Sequence, residues 1–107
     1  MITARFEDTA LTLQGHAGSA PYGQDLVCAA VSALVYALAQ RITDLEKQGA
    51  LEQPPEICLA SGNARISAVA KEKDREKVHE DFRLIYSGLK LLQAHYPEGI
   101  QMQDVSH

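Results

Sequence analysis

The first fourteen residues form two short runs in which apolar and polar positions alternate. Apolar side chains stand at every second position of both runs: Ile2, Ala4, Phe6, Leu11 and Leu13. The segment between the runs, Glu7-Asp8-Thr9, has residues that favour a turn. Alternate side chains of a strand point to the same face of a sheet, so the pattern predicts a β-hairpin with one buried face.

A glycine-rich segment and then a long apolar segment follow the predicted hairpin. Residues 15–23 contain three glycines and one proline in nine positions, a composition that predicts a mobile loop. From about Gln24 to Gln48 the chain is apolar and rich in alanine, and it becomes amphipathic towards its end. Gly49 and the pair Pro54-Pro55 mark the end of this segment. We expect one long, mostly buried helix.

The second half of the chain shows the same sequence of patterns. Apolar residues alternate within 57–59 and 66–68, on either side of Ser61-Gly62-Asn63, which predicts a second hairpin. Apolar residues spaced by three or four then predict a second helix: Val78, Phe82, Ile85, Leu89, Leu92 and Tyr96. Pro97 ends this helix, and the alternation over 100–103 predicts a short final strand.

The order ββαββαβ favours an α+β fold within a single domain spanning residues 1–107. We expect a two-layer sandwich, a mixed sheet with two long helices packed on one side. The pattern does not fix the order of the strands in the sheet.

Composition and charge narrow the class of protein. A hydrophobic content of 46% and a charged content of 22% are those of an ordinary folded domain. The formal net charge of −4 does not favour direct binding of nucleic acid. The longest apolar run, residues 26–39, is shorter than the roughly 20 residues that span a bilayer. With no secretory pattern at the N-terminus, we expect a cytoplasmic protein with no membrane contact.

The cysteines and most of the histidines do not indicate a metal site. Cys28 and Cys58 have no metal-ligand spacing, and in a reducing compartment we expect two free thiols. Cys58 is predicted to lie in a strand with a structural role. His79, His95 and His107 have no partner at ligand spacing, so we expect them at the surface. We therefore predict neither a metal ion nor another cofactor.

Cys28 is the strongest candidate for chemistry. It follows Asp25, a residue type that caps helices, by three positions, so we expect it in the first turn of the long helix. There the free N–H groups and the helix dipole favour a thiolate and can hold an oxyanion. The competing interpretation is a small core residue, which is the commoner fate of an isolated cysteine.

His16 changes the balance between these two interpretations. It lies in the glycine-rich segment, and eleven residues separate it from Cys28. A loop of this length can bring the imidazole within hydrogen-bond reach of the thiol, as a nucleophile and its base require. Taken alone, a loop histidine is more often satisfied by solvent or by the backbone.

Neighbouring polar residues and one glycine could support this pair. Asp25 either caps the helix or accepts a hydrogen bond from His16. Ser32, one turn after Cys28, either bonds back to the carbonyl of Cys28, which is the usual outcome, or supports the site. Gly23 would allow the backbone of a substrate to approach closely.

Two segments of the sequence resemble the signature of the Prp family, the ribosomal-processing cysteine proteases. They are Gly15-His16-Ala17-Gly18 and Tyr22-Gly23-Gln24-Asp25-Leu26-Val27-Cys28-Ala29-Ala30-Val31-Ser32. In the family a GHA segment supplies a histidine, and a G-x-D-x-x-C-A-x-x-S segment supplies the nucleophile. The resemblance extends to the spacing, the chain length and the order of elements, so it covers essentially the whole chain.

The resemblance implies a homodimeric cysteine endopeptidase. Its implied substrate is the large-subunit ribosomal protein bL27, from which it would remove a short N-terminal extension. By motif position, His16 and Cys28 form the catalytic dyad. The other implied site residues are Gly15, Asp25 and Ser32 as supporting residues, and Gly18, Tyr22 and Gly23 in a loop that closes over the substrate.

Three other functions remain open at this point. A cysteine hydrolase could act on another acyl substrate, such as a thioester, because the dyad does not dictate the leaving group. A ribosome-assembly or protein-interaction module would have no catalytic use for Cys28. A redox-sensing thiol is the least favoured, because Cys28 has no well-placed resolving cysteine.

Overall fold

The computed structural model describes residues 1–15, 24–60 and 62–105, with only the backbone of Gln24 and Asp25. Several positions singled out in the sequence lie outside the described residues: His16, Gly18, Tyr22, Gly23, Ser61 and His107.

The described elements follow the predicted order ββαββαβ. The strands are β1 (Ile2–Glu7), β2 (Ala10–Gln14), β3 (Glu56–Ala60), β4 (Asn63–Ser67) and β5 (Ile100–Asp104). The helices are α1 (Gln24–Lys47) and α2 (Arg75–His95), and a single 3-10 turn (Glu72–Asp74) leads into α2. The predicted α+β fold, a mixed sheet with two helices on one side, is confirmed.

The five strands form one sheet in the order β3-β4-β2-β1-β5. Both hairpins are antiparallel, and β2 pairs antiparallel with β4, so the hairpins join side by side. β5 pairs parallel with β1, from Ile2 opposite Ile100 to Phe6 opposite Asp104. A parallel neighbour requires a crossover connection, and here the long connection to β5 includes α2. The free edges of the sheet are therefore β3 and β5.

The core lies between one face of the sheet and the two helices. The sheet contributes the alternating residues of the predicted pattern, all buried: Ile2, Ala4, Phe6, Leu11, Leu13, Ile66 and Ile100. The helices contribute stripes spaced by three or four residues: Val27, Val31, Val35, Leu38, Ile42 and Leu45 in α1, and Val78, Phe82, Ile85 and Leu89 in α2. The alternate residues of the strands and the residues spaced by three or four in the helices thus face each other in one core, which gives the two-layer fold.

The two helices pack closely against each other. A Cβ atom on Gly88 of α2 would stand only 3.0 Å from the side chain of Leu34 in α1, so the glycine permits this approach. Two turns further along α1, Arg41 Nε donates to Asp81 Oδ2 at 2.9 Å. The pair of contacts shows that α1 and α2 run in opposite directions.

The other face of the sheet carries polar side chains. Arg65 of β4 donates to Glu56 Oε1 and to Thr12 Oγ1, each at 2.7 Å, and so links three neighbouring strands. Cys58 stands opposite Arg65 on this face and is exposed. The two faces thus differ in the way that the alternating sequence pattern predicts.

Helix α1 is long and apolar enough over Leu26–Lys47 to cross a membrane, judged by length and composition alone. The buried helix of a soluble protein passes the same test. In this fold α1 packs a stripe that includes Val31, Leu38 and Ile42 against the sheet. On the side that faces the sheet, packing in the core therefore explains why α1 is apolar.

Candidate active site

Cys28 lies on the side of α1 that faces away from α2. Helix α1 begins at Gln24, which makes Cys28 the fifth helical residue and places it at the start of the second turn. We expected Cys28 in the first turn of the helix, and this expectation is wrong by about one residue. The N–H of Cys28 is at the helical spacing of four residues from the carbonyl of Gln24.

The side chain of Cys28 still approaches the free end of the helix. Cα–Cβ bonds in a helix tilt towards its N-terminus, so the thiol leans over the first turn. Cys28 is half-buried and packs against the core. It is neither sealed in the interior, as the competing interpretation had it, nor freely exposed.

Asp25 follows the helical residue Gln24 and so lies inside the first turn. A capping residue precedes the first helical residue, which means that the suggested N-cap role of Asp25 is wrong. Its alternative role, orienting His16, involves side chains outside the described residues and stays a prediction.

Gly15 fixes the direction of the chain immediately before His16. Its φ of 105° belongs to a region that side chains rarely adopt. A Cβ atom here would overlap the carbonyl oxygen of Met1. The N–H of Gly15 donates to the carbonyl of Gly62 at 3.0 Å, which extends the β2–β4 pairing by one residue. A glycine at position 15 is thus required by the backbone conformation and by the closeness of Met1.

Cys28 and Gly15 line the same cavity, which has a volume of about 380 Å³. The cavity lies between the free side of α1 and the helix-facing side of the sheet. Its described lining is predominantly apolar and carries no charged side chain: Ile2, Leu13, Gly15, Cys28, Val31, Ser32, Val35, Tyr36, Leu59, Ala60, Gly62, Asn63 and Ala64. The volume is that of a small-molecule or side-chain pocket.

Ser32 lies one turn beyond Cys28 and also lines the cavity. Its expected hydrogen bond to the carbonyl of Cys28 is not formed among the described residues. Thr43 in the same helix does make such a bond, to the carbonyl of Ala39 at 2.8 Å. The hydroxyl of Ser32 is exposed at the cavity instead, where it can meet a bound molecule.

The remaining cysteine and histidines lie elsewhere. Cys58 lies in a strand, as predicted, on the opposite face of the sheet, and both thiols are free. His79 Nε2 lies 3.0 Å from Asp8 Oδ1, a partner from the β1–β2 turn that the sequence did not indicate. His95 is exposed at the end of α2. Within the described ranges, no three metal-binding side chains come together.

Two large residues of the cavity were not identified from the sequence. Tyr36 stands two turns beyond Cys28 on α1, at the i+8 position, and a search of that helix flank would have found it. Leu59 of β3 reaches the cavity only because β3–β4 pairs beside β2. No signal within residues 56–60 could have indicated this.

Solved structures confirm the fold. The chain is 24% identical to the ribosomal processing protease Prp from S. aureus, solved with a covalently linked product peptide, with a TM-score of 0.75 over 97% of this chain and 99% of that one. It is 28% identical to SMU.848 from Streptococcus mutans, with a TM-score of 0.73 over 100% of this chain and 96% of that one. No curated protein matches the sequence significantly.

A half-buried thiol near the start of a helix, in the wall of a cavity whose described lining carries no charge, can serve nucleophilic thiol chemistry. The family model of the cysteine protease Prp matches residues 1–101. The chain belongs to the Prp family of cysteine proteases, as the two sequence segments indicated, and it is a cysteine endopeptidase.

Proposed function

We propose that this endopeptidase removes the short N-terminal extension of the ribosomal protein bL27, with Cys28 as nucleophile and His16 as base. One observation carries the proposal: Cys28 and Gly15 line one cavity, and Gly15 is bonded directly to His16. The residue that precedes His16 therefore lies in the wall of the pocket that contains Cys28.

The relatives support a peptide substrate. The S. aureus ribosomal processing protease has been solved with a product peptide and also with a substrate peptide, the latter at 21% identity and a TM-score of 0.77. The cavity of this chain is predominantly apolar and partly open, which suits a segment of extended peptide. Because a ribosomal protein would be the substrate, the proposal places the reaction in the cytoplasm.

The reaction follows from the chemistry of a thiol and an imidazole. His16 takes the proton of Cys28, and the thiolate forms a carbon–sulfur bond with the carbonyl carbon of the scissile peptide. The tetrahedral intermediate then expels the amine, which takes its proton from His16. Water, deprotonated by the same imidazole, hydrolyses the thioester and releases the thiol. Asp25 is proposed to orient the ring of His16.

The oxyanion of the intermediate is proposed to accept hydrogen bonds at the start of α1. Helices leave the N–H groups of their first turn without acceptors inside the helix, and we propose that those of α1 serve the oxyanion. Because the thiol leans towards that turn, a carbonyl attacked by Cys28 would lie near these donors. Preorganised donors of this kind contribute about 3–4 kcal/mol to such reactions.

We also propose that the protein acts as a homodimer. Leu84 and Leu91, seven residues apart on one stripe of α2, are 70% and 64% exposed. Ala33 and Ala37 are exposed on α1, the helix packed against α2. A contiguous exposed apolar surface is typical of an interface, and a second copy of the chain is the proposed occupant.

The test is cleavage of a synthetic peptide that covers the N-terminal extension and the first residues of bL27 from the same organism. Products are identified by mass spectrometry with four proteins: wild type, Cys28→Ala, His16→Ala and Cys58→Ala. Cys58→Ala is the matched control, because it removes the other thiol from the opposite face of the sheet.

We expect cleavage at one bond by wild type and Cys58→Ala, and none by Cys28→Ala. His16→Ala should lower kcat/KM by at least about 100-fold. If folded wild type leaves the peptide intact, bL27 is not the substrate, and assays with thioester substrates then test the wider acyl-hydrolase function. If Cys28→Ala cleaves as well as wild type, the assigned nucleophile is wrong.

A further inference from the structure

We propose that a second cavity binds a dipolar ligand, a short peptide with a free ammonium and a free carboxylate group. This cavity lies between α2 and the ends of β1 and β5 and has a volume of about 740 Å³, within the range of ligand sites in proteins. None of its described lining residues lines the cavity that contains Cys28. The inference therefore does not depend on the proposed protease substrate.

The sheet gives this cavity an acidic wall. β1 and β5 are parallel neighbours, so their carboxyl ends reach the same edge of the sheet. Asp104 is the register partner of Phe6, which is buried on the helix-facing side, and register partners share one face. Asp8 follows in the turn after β1, and both aspartates line the cavity. Glu7 also lines it, but its carboxylate lies near Arg5 on the other face of the sheet.

Helix α2 gives the cavity a wall of opposite charge. Arg83, Ser87 and Lys90 line it, and their spacing of four and three residues places them on one side of the helix. Among the described residues, Arg83 has one ion pair, with the exposed Glu80 of the same helix at 3.6 Å, and Lys90 has none. Neither cation is therefore neutralised by the sheet across the cavity.

An ion pair closes one end of the cavity, and aromatic residues form its floor. His79 Nε2 lies 3.0 Å from Asp8 Oδ1 and joins the two walls there. The rings of Phe6 and Tyr86 meet edge to face, with centroids 5.1 Å apart, and the buried Phe82 also belongs to the lining. A ligand in the cavity would thus lie on apolar groups between two charged walls.

Facing walls of opposite charge select a ligand that carries both charges. A carboxylate would accept hydrogen bonds from Arg83, Ser87 and Lys90, and an ammonium group would donate to Asp104. A purely anionic ligand would be opposed by the aspartates, and a purely cationic one by Arg83 and Lys90. The α2 wall from His79 to Lys90 is about 16 Å long, which a short extended peptide, at about 3.3 Å per residue, fills better than a single amino acid.

The test follows binding of the tripeptide Ala-Phe-Ala by heteronuclear NMR, beside two capped forms, the N-acetylated peptide and the C-terminal amide, and free phenylalanine. The protein carries Cys28→Ala, so the peptide is not cleaved. Shifts of the backbone amide signals of residues 79–90 and 104–105 report on the proposed site, and those of residues 62–64 report on the cavity of the active site. This measurement locates the ligand and does not require an active protease.

We expect Ala-Phe-Ala to shift the signals of the proposed site and to bind at least about 10-fold more tightly than either capped form, because each cap removes a charge-assisted hydrogen bond. Lys90→Glu should abolish the advantage over the C-terminal amide, and Asp104→Asn should reduce the advantage over the N-acetylated form. Lys47→Glu makes the same charge change at an exposed position of α1 outside this cavity, and it should leave the affinity unchanged.

Three results would overturn the proposal. One is a spectrum in which millimolar Ala-Phe-Ala shifts no signal within residues 79–90 and 104–105. Another is equal affinity for the free and the capped peptides, or affinities that Lys90→Glu and Asp104→Asn both leave unchanged. The third is phenylalanine that binds as tightly as the tripeptide, which would make the ligand a single amino acid. Thermal unfolding of each variant separates a lost site from a lost fold.

Discussion

The substitution Gly15→Ala tests whether the backbone before His16 is held by a steric requirement. Gly15 has a φ of 105°, and its missing Cβ would overlap the carbonyl oxygen of Met1 and contact the Cα of Ile2. Neither group can move freely, since the N–H of Ile2 is bonded to the carbonyl of Gly99 at 2.9 Å and β1 is paired on both sides.

The expected cost has two parts. A side chain in a sparsely populated backbone region costs about 1–3 kcal/mol, and overpacking against fixed atoms adds about 1–3 kcal/mol. We therefore expect Gly15→Ala to lower the free energy of unfolding by about 3–4 kcal/mol, a large fraction of the roughly 5–15 kcal/mol typical of a domain. With a urea slope of about 1.5 kcal/mol per M, the midpoint falls by roughly 2 M.

Gly49→Ala is the matched control for the steric part. Gly49 also has a positive φ, 77°, but a Cβ atom there would meet only Lys71 Nζ at 3.9 Å. The control should lose only the conformational part, about 1–2 kcal/mol. Urea unfolding followed by circular dichroism compares the two variants. Equal shifts of the midpoint would refute the claim that Met1 restricts position 15.

Three further predictions concern the helix layer. Leu89→Ala, at a fully buried site, should lower the free energy of unfolding by about 2–5 kcal/mol, whereas Val69→Ala, at an exposed site outside the proposed dimer surface, should change it by less than about 0.5 kcal/mol; urea unfolding measures both. Gly88→Ala improves helix propensity by about 1 kcal/mol, but we expect this gain in the free energy of unfolding only when Leu34→Ala also removes the side chain that the new Cβ would meet. Urea unfolding of both single variants and the double variant measures this, and additive effects would contradict the close contact. Leu84→Lys combined with Leu91→Lys should shift the solution mass, measured by light scattering, from dimer to monomer; an unchanged dimer would exclude this interface.

The fold was predictable because its elements follow local patterns. The alternation of Ile2, Ala4 and Phe6 corresponds to one buried face of β1, and the stripe from Val78 to Leu89 corresponds to the buried face of α2. The parallel β1–β5 pairing was not predictable, because a five-residue strand carries no signal for its neighbour. The joining of the two hairpins through β2 and β4 was unspecified for the same reason.

The candidate site was predictable only in part. The sequence made Cys28 the candidate because thiols near a helix start are reactive, and it placed the start of the helix at about Gln24, but it assigned the N-cap to Asp25, which is helical. Aspartate is common both as the N-cap and within the first turn of a helix. The sequence pattern alone therefore does not show which of these positions Asp25 occupies. The facing wall of the cavity could not be predicted, since Leu59 and Asn63 enter it through sheet pairing between distant segments.

The position of Cys28 depends on parts of the chain far from it in sequence. Val27, the neighbour of Cys28, is buried, and a Cβ atom on Gly99 would stand 3.4 Å from its side chain. Gly99 in turn accepts the hydrogen bond from Ile2, the residue beside which Gly15 makes its turn. The start of α1, the start of β1 and the end of β2 therefore meet in one cluster of close contacts. Because this cluster includes Gly99, the packing beside Cys28 joins residues from the two ends of the chain.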